Sequence, residues 1–280
     1  MISGATTTVE QMLADPDVSP YLGGMLTPNT SNSVERVCGW NLPWCADAGC
    51  FPVEAFSASR YMATVVRVAE ALVRPVFVVV PDVVNMTPEG PVGNHEATLR
   101  QFQVWQPRLG PFRLPLAFVT QDGMGLDELE DEVPWDDIAA VFIGGSDEFK
   151  DEMTGAVADA CKARGKWVHL GRVNGRRRLK LAVLADVDSV DGSSLSKFPR
   201  VWLRKFATDI KEIQQEVCWL DRLNQQLQAD IANWDALLAA HDPTICRHGL
   251  IRSQASVSHR ELKRDRAPAR RCAPGRRAPD

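Results

Sequence analysis

The sequence predicts an α/β fold, a (β/α)8 barrel followed by a long helix, and three observations carry that reading. Short apolar, β-branched runs recur along the chain, each followed by a polar, helix-compatible stretch. The runs are apolar throughout rather than alternating, which suits a parallel sheet buried on both faces. Beyond residue 200 the pattern changes to apolar positions three and four apart, the mark of one long amphipathic helix. With 280 residues and 45% hydrophobic content, the chain can bury a sizeable core.

In order along the chain, strands are expected near residues 21–26 and 42–46, then at 76–80, 114–119, 139–143, 167–170 and 187–190. Helices are expected at 55–73, 95–109 and 148–164. So many strands in so short a stretch favour a compact barrel over a doubly wound sheet, although no eighth strand can be placed. The expected organisation is a barrel over 1–200, a heptad-patterned helix over 201–242 and a basic, disordered tail over 243–280.

Composition excludes several classes. The longest apolar run, 76–80, lies between Pro75 and Pro81, far short of the ~18 residues that cross a bilayer. Met1 to Glu10 contains no Lys or Arg, so no secretory signal is expected and the cytoplasm is the expected compartment. Seven Cys, an odd number scattered over a long chain, read as reduced thiols. The net charge of −4 conceals an asymmetry: residues 247–280 hold ten Lys and Arg against three Asp and Glu, leaving a body of −11 and a tail of +7. Such a tail either touches nucleic-acid phosphates or is simply solvated.

Ligands in parallel α/β folds sit beyond the carboxyl ends of the strands. The residues there read Asp47-Ala48-Gly49-Cys50-Phe51, Pro81-Asp82, Gln121-Asp122-Gly123, Gly144-Gly145-Ser146, Gly171-Arg172-Val173-Asn174 and Asp188-Ser189-Val190-Asp191-Gly192. One Asp after a strand is commonly a helix cap or a turn residue. Several of them, with interposed glycines, point to a polar, close-fitting small-molecule pocket.

In fixed order these motifs resemble those of the queuine tRNA-ribosyltransferase (tRNA-guanine transglycosylase) family, closest to its short phage relatives that act on DNA. The resemblance spans about residues 20–200. It implies a TIM-type barrel and a glycosyltransferase, a pentosyltransferase that replaces guanine in DNA with a 7-deazaguanine without any cofactor. Asp191 would be the nucleophile of a covalent Asp–sugar intermediate, and Asp47 the general acid/base. Asp82, Gln121, Gly144, Gly145, Leu170 and Gly171 would hold the base, and Arg172, Arg176, Arg177, Arg178 and Lys180 would meet the nucleic-acid backbone. The residue types suit that chemistry: retention at a sugar carbon calls for a carboxylate nucleophile, a departing purine gains from a proton, and its N–H groups need acceptors. Other readings are tRNA as the substrate, or a silent nucleotide-binding barrel that dimerises through its helix.

The sequence departs from the family's pattern in several places, one being Cys50, which stands where the family has Gly. Gly192-Ser193-Ser194-Leu195-Ser196-Lys197 stands where tRNA enzymes carry Pro-Thr-Arg. The Cys-x-Cys-x-x-Cys and distant His of their structural zinc are missing, and Cys246 with His248 falls short of a tetrahedral set, so no metal is expected. Cys38, Cys45 and Cys50 read as core or pocket-wall thiols. In the long helix, apolar residues at 203, 206, 210, 213, 217, 220, 227, 231, 234 and 238 form a heptad seam with Asn224 at one a position. The seam either pairs with a second copy in a homodimer or packs on the barrel.

Overall fold

A computed structural model describes residues 11–28, 33–50, 56–88, 90–193 and 198–240. The basic tail with Cys246 and His248, Phe51 and residues 194–197 lie outside the described residues.

Seven parallel strands form one sheet in sequence order: β1 Gly24–Leu26, β2 Trp44–Ala46, β3 Phe77–Val79, β6 Leu116–Thr120, β7 Ala140–Ile143, β8 Trp167–Leu170 and β9 Ser189–Val190. An antiparallel hairpin, β4 Val84–Thr87 and β5 Gly90–Gly93, is inserted after β3. The helices are α1 Val34–Gly39, α2 Ala58–Ala69, α3 His95–Leu109, α4 Leu126–Asp131, α5 Asp147–Ala163, α6 Arg176–Leu184 and α7 Pro199–Ala240. Neighbouring strands that follow one another in the chain need crossovers of one hand, and these curl a sheet instead of splitting its helices between two faces. The curl shows directly, because Met25 of β1 and Asp191, just after the last strand β9, line one cavity. Among the described residues no pairing joins β9 to β1.

The expected strands are present, the first of them trimmed because Pro20 starts a 3-10 turn at Ser19–Tyr21. The sequence reading missed the hairpin and the two short helices, which are too brief to show a period. Serine and asparagine start the main helices: Ser57, Asn94 and Ser146 each accept a backbone N–H three residues on, which satisfies one orphaned donor.

Both faces of the sheet are covered. Phe77, Val78, Phe118, Val141, Val168 and Leu170 are all fully buried. Helix α2 docks through Tyr61, whose ring packs edge-on to Trp105 and whose hydroxyl donates to the Val79 carbonyl at 2.8 Å.

The chain divides into two units, at residue 220. Within the first, Leu203, Phe206, Ala207 and Ile213 of α7 are buried, so this half of the heptad seam covers the sheet. In the second, α7 continues to Ala240, and Leu223, Leu227 and Ile231 on one face are about half exposed. Among the described residues no helix is long and apolar enough to cross a membrane.

Candidate functional site

A cavity of about 210 Å³ opens at the carboxyl ends of the strands, and three carboxylates from three strand ends face it: Asp47 after β2, Asp82 after β3 and Asp191 after β9. Met25, Val79, Val119 and Phe142 form its apolar walls. The inserted hairpin closes one side through Val84 and Pro91. Among the described residues that line it, Arg172 is the one cation.

The three carboxyl groups differ in electrostatics. Burial, then the neighbouring Asp82 and Asp191, push Asp47 up to about 7, against a weaker pull from the backbone N–H groups of Ala48 and Gly49. Burial also raises Asp82, although the Cys50 thiol donates to it and Arg172 offsets part of the shift. That thiol is itself pushed far up by burial and by the two acids beside it. Burial presses Asp191 the same way, but donated hydrogen bonds and the charge interaction with His169 outweigh it and leave the group below the usual carboxylate range. The hydrogen bonds come from His169 Nε2 at 3.2 Å and the Arg172 backbone N–H at 3.1 Å, both to Oδ1.

The state of His169 follows from what lies behind it. The Trp167 indole Nε1 can only donate, and it sits 2.8 Å from Ser189 Oγ. The Ser189 hydroxyl proton is then free to go to His169 Nδ1, also at 2.8 Å. His169 keeps its proton on Nε2 and gives it to Asp191. Burial lowers the histidine's pKa against the pull of Asp191, and so favours the neutral ring. Phe77 and Phe142 pack on the ring at 5.4 and 4.6 Å between centroids. His169 was missed in the sequence; its one signal is a histidine inside an otherwise apolar strand.

Close approach of backbone explains the glycines. A Cβ on Gly171 would lie 2.6 Å from the Phe142 ring. Gly145 has φ +74, and its Cβ would sit 2.9 Å from Asp122 Oδ2. Asp122 is a clamp: Oδ2 accepts from Gly93 N at 2.7 Å and Ser146 N at 2.8 Å, while Oδ1 accepts from the Ser146 hydroxyl. One carboxylate thus ties the hairpin to the loop after β7.

Of the expected site residues, Asp47, Asp82, Gly144, Gly145, Gly171, Arg172 and Asp191 all line this cavity. Gln121 and Leu170 do not; both are fully buried behind it. The Gln121 amide donates to the carbonyls of Val83 at 2.9 Å and Asn94 at 3.3 Å and to the Thr98 hydroxyl, holding the base of the hairpin. Apart from Arg172, the basic residues expected at nucleic-acid phosphates have carboxylate partners inside the protein. Arg176 reaches Asp209, Glu212 and Glu216; Arg177 reaches Asp151; Arg178 reaches Asp147; Lys180 reaches Glu216. They fasten α6 between α5 and α7. Among the described residues no cluster of His, Cys, Asp and Glu could hold a metal ion.

No family model and no curated protein matches the chain. Among solved structures it is similar to a mandelate oxidase variant with the monooxide FMN adduct, at 14% identity over 77% of this chain and 72% of that one, TM-score 0.49. A mandelate oxidase variant with the C4a-OH-FMN adduct gives 10%, 77%, 72% and 0.47. RipC from Yersinia pestis gives 11%, 68%, 86% and 0.39.

None of these is a transglycosylase, and the resemblance to queuine tRNA-ribosyltransferases is corrected accordingly. With it go the readings it carried: a guanine-exchanging glycosyltransferase, base modification in DNA or tRNA, the silent nucleotide-binding barrel, a phage source and a chain that needs no cofactor. The physical reason is that acids and glycines at strand ends are what any parallel α/β sheet places around a ligand. Short motifs in strand order report that rim, not one family's chemistry.

Two of these structures carry FMN adducts. Similarity at this level carries neither an activity nor a flavin to this chain, so FMN is judged against the cavity itself. At about 210 Å³ the cavity is smaller than the ~300–1,000 Å³ that drug-sized ligands occupy. A phosphate dianion there would also face three carboxyl groups, with Arg172 as the one cation among the described lining residues. The residues present do not fit FMN.

Proposed function

We propose that the chain is an acid–base enzyme acting on a small, amine-bearing molecule, with Asp47 as proton donor, Asp191 as the ionised base and Asp82 as the acceptor that holds the amine. One observation carries the reading: three strand-end carboxyl groups share one small cavity whose surroundings hold two of them in opposite protonation states. Split pairs of this kind assign an acid and a base within a single site. Burial keeps a proton on Asp47 up to neutral pH, and the His169 and Arg172 donors keep Asp191 free of one. An excess of acceptors over cations selects ligands that bring donors or positive charge.

We also read the sheet as a (β/α)8-type barrel whose eighth position, between β9 and β1, is not filled by a strand among the described residues.

Saturation-transfer NMR with a panel of small amines, amidines and carboxylates tests the ligand class. Each binder is then incubated with enzyme in deuterium oxide and followed for turnover or exchange of carbon-bound hydrogens. Amines and amidines should bind, Asp82→Asn should weaken them, and Asp47→Asn and Asp191→Asn should each abolish turnover. Preferential binding of carboxylates, or turnover unchanged in both variants, overturns the proposal.

A further inference from the structure

A second cavity, of about 310 Å³, lies at the other end of the sheet. Gly23, Pro43, Trp167 and Val187 line it, and each stands at or before the start of its strand. It therefore opens at the amino ends of the strands, opposite the acidic cavity, in the seam between β1 and β9. Leu179 of α6 and Leu203 and Phe206 of α7 complete its wall.

Asp188 and Ser189 in this wall already have partners. Asp188 accepts from Lys162 at 2.6 Å and from the Val168 N–H at 2.8 Å. Ser189 is held between Trp167 and His169. Exposed Pro20, Pro43 and Gln214 stand at the mouth. Protein interiors contain few voids larger than a water molecule, and an apolar cavity stays dry until an apolar molecule enters. Here the volume reaches the range of small-molecule sites. A charged ligand would find no free opposite charge in the lining.

We infer that this seam cavity is a binding site for a neutral, apolar molecule about the size of naphthalene, which takes the place an eighth strand would occupy and braces β9 against β1. The inference does not depend on the acid–base reading.

Calorimetry with 2-naphthol and with decanoate tests it. Saturable, one-to-one binding of 2-naphthol is expected, with decanoate at least tenfold weaker and a melting temperature that rises with 2-naphthol concentration. Ala207→Phe, which fills the cavity from α7, should abolish binding while near-UV circular dichroism stays native; Val183→Phe does the same from α6 if the first variant fails to fold. In the parent protein the Trp167 indole N–H resonance, identified by its loss in Trp167→Phe, should shift on titration. Asp82→Asn should bind 2-naphthol as the parent does. Absence of saturable binding, an unmoved Trp167 resonance, undiminished binding in a folded filled variant, or equal affinity for decanoate overturns the inference.

Discussion

His169 Nε2 stands 3.2 Å from Asp191 Oδ1, and the imidazole that makes this contact is neutral. A relay from the Trp167 indole through the Ser189 hydroxyl fixes its tautomer, and burial among aromatic rings disfavours the imidazolium. The carboxylate is thus oriented and kept ionised through His169 and the Arg172 backbone N–H. That leaves the cavity electronegative, as capture of an amine requires.

Removing the middle of the relay should be costly. Ser189→Ala leaves the Trp167 N–H and His169 Nδ1 without partners in a buried setting, for an expected loss of about 1–3 kcal/mol in urea denaturation. The same variant should move the Asp191 pKa, read by NMR, because His169 is then free to adopt its other tautomer.

Asp47 makes stability depend on pH with a definite sign. Its folded-state value of about 7 lies above the ordinary 3.8, so the native state keeps a proton that the unfolded chain releases. The contribution of Asp47 to stability should be greatest below about pH 4, fall as pH rises to about 7 and level off above that. Asp47→Asn has no proton to lose. Its stability relative to the parent should improve between pH 4 and pH 8 by on the order of 3 kcal/mol, measured by denaturant midpoints across that range.

Gly145→Ala should destabilise by about 1–2 kcal/mol, because a side chain at positive φ is strained and the added Cβ meets Asp122. Hydrogen exchange at Gly93, whose N–H ends on the same carboxylate, should accelerate in the variant.

Arg176 joins α6 to three carboxylates of α7, including the mostly buried Asp209 at 2.7 Å. Arg176→Ala should cost about 1–2 kcal/mol, since Lys205 still serves Asp209, and the difference should shrink in 1 M salt. Arg177, largely exposed and paired with Asp151, should change stability by less than about 0.5 kcal/mol when replaced by alanine.

The strands of the sheet and the acids and glycines at their ends were legible in the sequence, because an apolar run buried on both faces needs no knowledge of its neighbours to be recognised. So was the long helix, whose period is local. What Asp47, Asp82 and Asp191 have in common was decided only by the curl of the sheet, which brings residues more than a hundred positions apart to one cavity. Their opposite protonation states depend on burial and on His169, a residue with no motif around it. Gln121 and the arginines of α6 had the composition of ligand contacts, but tertiary structure committed the amide to the hairpin base and the guanidinium groups to α5 and α7. A sequence lists which groups can donate, accept or carry charge. Which of them remain free for a ligand is settled only when the fold has satisfied the rest.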